Sequence, residues 1–196
     1  MTGGRADALE VRTASVDETR ALAAALSAIA RPGDLVLLAG DLGAGKTAFV
    51  QGFGAGLGVE ERITSPTFTL AQQYEGRLRV HHLDVYRLDQ LSEVVELGLA
   101  ELLDDGGVVL IEWGDAILPA LPNDYLEVRL TFGEGDDDRS VALAAVGPSW
   151  AARRRVLTEA VEPFTGATGR GAGATGATAG PGAVAGEADH HGAGRC

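Results

Sequence analysis

Lysine is almost absent from this sequence of 196 residues: it occurs once, at position 46, and every other strongly basic side chain is arginine. Cysteine also occurs once, as the last residue, Cys196, so no disulfide can form within the chain. That usage fits a reducing cytoplasm. No apolar run approaches the roughly 18 residues of a membrane span, and the first residues lack the apolar core of a signal peptide. We therefore expect a cytoplasmic protein with no membrane attachment.

Positive charge is scarce and scattered along the chain. The formal net charge is −12, and the one compact basic cluster is the triplet Arg153, Arg154 and Arg155, which we interpret as the solvated face of a helix. Proteins that bind nucleic acid directly normally present a basic face that displaces counterions from phosphates. We therefore expect no tight direct binding to RNA or DNA. A partner protein with a basic surface is easier to accommodate.

The composition divides the chain in two near residue 165. Residues 165–196 are dominated by glycine, alanine and threonine, with almost no large apolar side chain to bury. Such a segment cannot offset the entropy lost on ordering, so it is predicted to be a disordered tail. Residues 1–164 are predicted to form one folded domain.

Apolar strands alternate with helical stretches through that domain. The predicted helices lie at 15–30, where Ser15 and Glu18 suggest a capping box, and at 46–57, 90–103 and 150–161. The predicted strands lie at 9–15, 34–40, 67–76, 77–88, 108–113, 124–132 and 139–146. The alternation predicts an α/β fold with a parallel core, and the two hairpins add antiparallel strands to a mixed sheet flanked by helices.

The single lysine lies in GDLGAGKT, residues 40–47, which fits G-x-x-x-x-G-K-[ST] between a short apolar strand and a helix. This spacing and context are typical of a P-loop, in which backbone N–H groups and the helix N-terminus hold phosphates. The lysine reaches the β- and γ-phosphates as a flexible point charge, which a planar arginine does not replace. Thr47 offers Mg²⁺ a hydroxyl ligand. The predicted cofactor-binding residues of the loop are Asp41, Leu42, Gly43, Ala44, Gly45, Lys46 and Thr47.

Two carboxylates at strand ends are candidates for the acid that a P-loop site recruits for Mg²⁺. Glu112 is the one charge of the apolar run VVLIE, and Asp84 follows RVHHL. We predict that both serve the metal, and that both act with Lys46 in catalysis. The structural alternative for each is a carboxylate that caps a nearby helix.

Other side chains close to these motifs leave alternatives open. Trp113 follows Glu112 and either stacks on a nucleotide base or packs in the core. The segment SPTF, residues 65–68, either presents hydroxyls to a γ-phosphate or only starts a strand. His81 and His82 are adjacent on a strand and face opposite sides, so they cannot readily chelate one ion together.

The sequence favours adenine over guanine. The N-K-x-D motif that reads guanine in Ras-type GTPases cannot exist here, because Lys46 is the only lysine and Asn123 the only asparagine.

Four motifs stand in order, GDLGAGKT, SPTF, HLDVYRL and IEW, and together they resemble the TsaE family of small P-loop ATPases. The resemblance covers about residues 9–160. It implies Mg²⁺-dependent ATP hydrolysis and partnership with TsaD and TsaB, the proteins that install threonylcarbamoyladenosine (t⁶A) at position 37 of tRNAs reading ANN codons. It implies that Gly43 to Thr47 hold phosphates, that Thr47 and Glu112 serve Mg²⁺, that Asp84 belongs to the switch or metal shell, and that Trp113 lies near the nucleotide. It implies contact with tRNA only through the partners.

Two alternative functions are compatible with the same motifs. A small-molecule kinase would use the same loop, but it needs an acceptor pocket and usually an arginine-bearing lid. Arg87 and Arg139 are isolated in the sequence, so no such lid is evident. A nucleotide-dependent binding switch with little turnover would carry the same motifs as a slow ATPase.

Overall fold

The computed structural model of the protein describes residues 8–66, 69–86 and 98–165. Strands and helices alternate along these residues. The strands are β1 (Leu9–Thr13), β2 (Leu35–Ala39), β3 (Ala71–Tyr74), β4 (Val80–Asp84), β5 (Val108–Glu112), β6 (Tyr125–Phe132) and β7 (Arg139–Val146). The α-helices are α1 (Val16–Ser27), α2 (Lys46–Gly56), α3 (Leu99–Asp104), α4 (Pro148–Ala152) and α5 (Arg154–Thr165), and a 3₁₀ helix spans Gly114–Ala120.

One mixed sheet joins the seven described strands in the order β1-β7-β6-β2-β5-β4-β3. The strand β2 pairs in parallel with β5 and β6, and β4 pairs in parallel with β5. The outer pairs, β1–β7, β6–β7 and β3–β4, are antiparallel. The predicted α/β fold, with a parallel core extended by antiparallel hairpins, is therefore confirmed.

The buried strand β2 separates two hydrophobic clusters, because successive side chains on a strand point to opposite faces. Val36 and Leu38 belong to the larger cluster, which contains residues of α1, α2, α4 and α5. Leu35 and Leu37 belong to the smaller cluster, with α3 and the 3₁₀ helix. Helices therefore cover both faces of the parallel core, which explains why β2 and β5 are apolar along almost their whole length.

The first helix begins where its sequence predicts. Ser15 is the N-cap, and its hydroxyl accepts a hydrogen bond from the Glu18 N–H at 3.1 Å. The Glu18 carboxylate reaches back to the N–H of Ala14 at 2.7 Å, one residue before the N-cap itself. The helix ends at Ser27 instead of continuing to Ala30. The Ser15 hydroxyl thus satisfies an orphan donor of the first turn, and the Glu18 carboxylate binds the main chain just before the N-cap, in a variant of the capping box.

The last helical region differs from its prediction, because two helices, α4 and α5, meet at Arg153. The interpretation of the arginine triplet as wholly solvated is wrong for Arg153, which is 4% exposed. Its guanidinium forms a bidentate pair with Asp34, at 2.7 and 2.6 Å, and lies 3.9 Å above the centre of the Trp150 ring. A buried carboxylate explains the difference, since a guanidinium can enter a protein interior when it is paired.

Some predictions concern residues outside the described ranges. Most of the helix predicted at 90–103 lies there, and α3 covers its end from Leu99. The predicted tail also lies outside, apart from Thr165, which ends α5, so its disorder and the domain division stay predictions. Among the described helices, none combines the length and the apolar character that crossing a bilayer requires.

Candidate nucleotide-binding site

Three parallel strands end at the same edge of the sheet and bring the predicted site residues together. The glycine loop follows β2, Glu112 ends β5 and Asp84 ends β4. Asp84 and Glu112 are paired directly across the β4–β5 ladder. The carboxyl edge of a parallel sheet is where open α/β folds bind ligands.

Glycine is required at the start of the loop for a steric reason. Gly40 has a φ of +136°, and a Cβ atom built on it would lie 2.2 Å from the carbonyl oxygen of Leu130 on β6. At the other end, Gly45 has a φ of +107° and is the N-cap of α2 without a side-chain capping bond. No side chain of the N-cap therefore occupies the first-turn N–H groups of α2. These donors can bind an anion at the helix N-terminus.

The other loop residues differ in exposure. Ala44 is buried, whereas Leu42 is 80% exposed. The side chain of Asp41 is also exposed, and so is Gly43. Leu42 and Asp41 can therefore contribute to phosphate binding through their main chain, as a P-loop does.

Lys46 folds back over its own loop. Its ammonium group donates to the carbonyl oxygens of Gly40 and Asp41, at 2.7 and 2.9 Å, and lies 3.5 Å from the centre of the Trp113 ring. Burial lowers the pKa of Lys46, and the nearby carboxylates, Glu112 foremost, partly offset this effect. The single lysine of the chain thus occupies the position where the motif places a phosphate-binding cation.

Thr47 and Glu112 are in direct contact. The Thr47 hydroxyl donates to Oε1 of Glu112 at 2.8 Å, and the same carboxylate oxygen lies 2.9 Å from Nε2 of His82. His82 and Glu112 are both buried, at 0% and 3% exposed. No sequence motif indicated a role for His82, although its position two residues before Asp84 on β4 places both side chains on one face.

Asp84 is held from two sides. Its Oδ2 accepts a hydrogen bond from the Ser65 hydroxyl at 3.0 Å, and its Oδ1 accepts one from the N–H of Tyr86 at 3.1 Å. Ser65 of the SPTF segment therefore reaches the site through Asp84. Thr67 and Phe68 of that segment lie outside the described residues.

Trp113 directly follows β5 in a left-handed conformation, with a φ of +64°. Its ring covers the Lys46 ammonium group and lies 4.8 Å from the ring of Tyr86, centre to centre. It also packs on the smaller hydrophobic cluster. Core packing therefore accounts for part of its environment, and its stacking on a base stays a prediction.

Arg139, which begins β7, is a second residue whose position the sequence did not indicate. Its guanidinium donates from Nε to the Ala44 carbonyl at 3.0 Å and from Nη2 to the Gly43 carbonyl at 3.4 Å. About 95 residues separate the partners along the chain. No local motif could have revealed the contact, because it depends on the β6–β7 hairpin ending beside the loop.

The oxygen atoms of this site fit a hard divalent cation. Thr47, Glu112 and Asp84 supply a hydroxyl and two carboxylates at one edge of the sheet. In the described ranges, no group of three or more His, Cys, Asp or Glu side chains could hold a metal ion alone. Mg²⁺ prefers oxygen ligands, and it binds proteins through one or two carboxylates and completes its shell with water and phosphate.

A buried strand, a glycine loop closed by a helix N-terminus, and acids at the ends of neighbouring strands define the P-loop fold. The chain belongs to the TsaE family: residues 13–141 match the family model described as "Threonylcarbamoyl adenosine biosynthesis protein TsaE". The resemblance carried by the four sequence motifs is therefore confirmed.

Individual relatives support the same assignment. The chain is 44% identical over 140 residues to the tRNA threonylcarbamoyladenosine biosynthesis protein TsaE of Bacillus subtilis, covering 71% of this chain and 87% of the relative. It is 40% identical over 140 residues to the protein of that name from Streptomyces coelicolor, covering 67% and 93%. The crystal structure of Bacillus subtilis YdiB superposes with a TM-score of 0.68 at 38% identity, covering 78% of this chain and 95% of that one.

Proposed function

We propose that this chain is a Mg²⁺-dependent ATPase that acts with TsaD and TsaB in forming the threonylcarbamoyl group on adenosine-37 of tRNAs reading ANN codons. The observation that carries the ATPase proposal is the Thr47–Glu112 hydrogen bond at 2.8 Å, beside a glycine loop that bears the lone lysine. The pathway follows from the family and from the names of the relatives. Such a protein would work in the cytoplasm, where tRNA is modified.

Phosphate binding would use groups that already converge on the loop. The N-terminal turn of α2 offers N–H donors, and Lys46 offers the cation. Lys46 now donates to the carbonyl groups of Gly40 and Asp41, so binding a triphosphate exchanges these two hydrogen bonds for bonds to phosphate oxygens. A partly dehydrated ammonium group loses less solvation in that exchange than an exposed one would.

The residues that would hold Mg²⁺ are Thr47, Glu112 and Asp84. When bound, the ion would neutralise charge on the β- and γ-phosphates. Thr47 and Glu112 are already in contact, so the hydroxyl and the carboxylate that would hold the ion lie together. Asp84 is oriented by Ser65 and by the Tyr86 N–H, which fixes the direction of its carboxylate.

We propose that hydrolysis by the isolated protein is weak, although its two acids are held in position by the protein itself. Glu112 accepts bonds from Thr47 and His82, and Asp84 accepts them from Ser65 and Tyr86. Turnover also requires a group that positions the attacking water, which a partner would supply. We infer that TsaD and TsaB play this part.

The deciding experiment measures phosphate release from ATP by the protein alone, with TsaD and TsaB, and with each partner singly, in Mg²⁺ and in EDTA. We expect slow Mg²⁺-dependent release that rises when both partners are present. Nucleotide binding without release under every condition would favour the binding switch. Appearance of the γ-phosphate on a small acceptor would favour the kinase.

A further inference from the structure

We propose that Arg139 is a positioning residue of the phosphate-binding loop: its guanidinium, supplied by the β6–β7 hairpin, fixes the Gly43 and Ala44 peptides so that the loop is formed before nucleotide arrives. This inference rests on the proposed function, since it assumes that the loop binds phosphate. It extends that function to a residue outside the loop motif and on a different part of the sheet.

The hairpin brings Arg139 to the loop through the register of the sheet. The strand β6 runs parallel to β2, and Ala39 at the end of β2 is paired with Arg129. Three residues further on, β6 ends at Phe132, which is paired with Arg139 at the start of β7. Arg139 therefore begins its strand at the edge of the sheet where the loop leaves β2.

Within the described ranges, each hydrogen bond of this guanidinium goes to a main-chain carbonyl. On the loop side, Nε and Nη2 donate to Ala44 and Gly43. On the hairpin side, Nη1 donates to the carbonyls of Asp136 and Asp138, at 2.9 and 2.8 Å. One planar cation thus ties the turn of the hairpin to the outer side of the loop.

These contacts determine where the loop N–H groups point, because the C=O and N–H of a trans peptide point in opposite directions. The Ala44 carbonyl faces Arg139, so the N–H of Gly45, on the same peptide, is directed away from Arg139. The Gly43 carbonyl also faces Arg139, and the Ala44 N–H on its far side donates to the Asp41 carbonyl at 3.1 Å. Gly43 and Gly45 both adopt a positive φ. Because glycine has no Cβ to restrict its backbone, these two residues would be unusually free to rotate without such a contact.

The charge of Arg139 adds a second effect. Although the neighbouring turn is acidic, no carboxylate in the described part of the chain forms an ion pair with Arg139. Its guanidinium lies 4.8 Å from the centre of the Phe132 ring, and the acceptors that it contacts among the described residues are uncharged carbonyl groups. A positive charge placed against the loop favours an anion bound there.

The experiment compares Arg139→Met, Arg139→Lys and the control Arg12→Met in the full-length chain. Arg12 is an exposed arginine on β1, paired in register with Ser140 next to Arg139. Hydrogen exchange is measured on residues 40–47 without nucleotide, and ADP affinity is measured by calorimetry. For Arg139→Met we expect roughly tenfold faster exchange and roughly tenfold weaker ADP binding, as for the loss of charge-assisted bonds.

Arg139→Lys separates the forked contact from the charge alone. A lysine restores a cation but cannot span four carbonyls in two loops, so we expect fast exchange to persist and affinity to recover only partly. Full recovery of both by Arg139→Lys, or wild-type behaviour of Arg139→Met, would overturn the proposal. If Arg139→Met does not fold, the test uses Arg139→Lys, provided that its melting temperature is unchanged. Hydrogen exchange on residues 40–47 of that variant then shows whether the loop has lost its support. Wild-type protein that binds no ADP would refute the proposed function, whereas the exchange measurement would still test the role of Arg139 in the loop.

Discussion

Nε2 of His82 lies 2.9 Å from Oε1 of Glu112, and both side chains are buried. A carboxylate only accepts hydrogen bonds, so the imidazole donates from Nε2. The other ring nitrogen, Nδ1, is buried without a partner among the described residues. This histidine therefore donates to the acid that also contacts Thr47, and we predict that it holds Glu112 in place for the metal.

His82→Leu should lower Mg²⁺-dependent ATP turnover by roughly tenfold, because it removes a bond to a charged acceptor in a buried site. His82→Gln keeps an N–H donor and should retain most of the turnover. The matched control is His81→Gln, since His81 lies on the opposite face and contacts Asp105 at 3.0 Å. Steady-state kinetics over a Mg²⁺ titration would measure all three, and equal losses for His82→Leu and His82→Gln would contradict a positioning role.

Lys46→Met should weaken ATP binding by roughly 30- to 100-fold, on the order of 2–3 kcal/mol for a lost charge-assisted contact. Folding should persist, because methionine keeps the apolar stem beside Trp113 while the hydrogen bonds that are lost serve only the loop. Calorimetric titration with ATP and a thermal melt measure the two effects. Wild-type affinity in a folded variant would refute the P-loop assignment.

Removal of residues 166–196 should leave the melting temperature and ATPase activity nearly unchanged, because that segment has little apolar surface to bury. The cut must follow Thr165. A second truncation, after Val161, would also remove Phe164, which packs against the larger hydrophobic cluster, and should destabilise the protein by about 1–2 kcal/mol. Denaturant unfolding of both proteins measures the contrast, and a large effect of the shorter deletion would show that the tail contributes to the fold.

The isolated protein should bind tRNA only weakly at physiological salt. The net charge is −12, and the structure removes Arg153 from the one basic cluster by pairing it with Asp34 in the interior. Arg155 forms an ion pair with Glu159 in the next turn. Few cations remain to displace counterions from phosphate, so fluorescence anisotropy should detect tight binding only with the partners present. Tight binding by the protein alone that survives higher salt would contradict partner-mediated recognition.

Sequence patterns predicted the parts of this molecule that depend on neighbours in the chain. The apolar runs identified β2 and β5, and the spacing of Gly40, Gly45 and Lys46 identified the loop. The ends of parallel strands then allowed Asp84 and Glu112 to be placed near that loop, because such ends share one edge of the sheet.

Contacts between distant residues were not predictable in the same way. Arg139 and Gly43 are 96 residues apart, and Arg153 and Asp34 are 119 apart. Each pairing depends on the tertiary arrangement of the chain and leaves no periodicity or local motif. The 3₁₀ helix at Gly114–Ala120 was missed for another reason, since it is short and contains Pro119.

The close approach of Gly40 to Leu130 affects how variants of this loop should be interpreted. A side chain at position 40 would collide with the backbone of β6 whether or not any nucleotide is present. At Gly45, a Cβ atom would come no closer than 3.7 Å to another residue outside its immediate neighbours, so the obstacle there is the positive φ. A growth-based screen would score substitutions at both glycines as loss of function. Only those at position 40 should reduce the amount of folded protein through a steric clash within the sheet, so protein abundance must be measured before that glycine is counted as a ligand-binding residue.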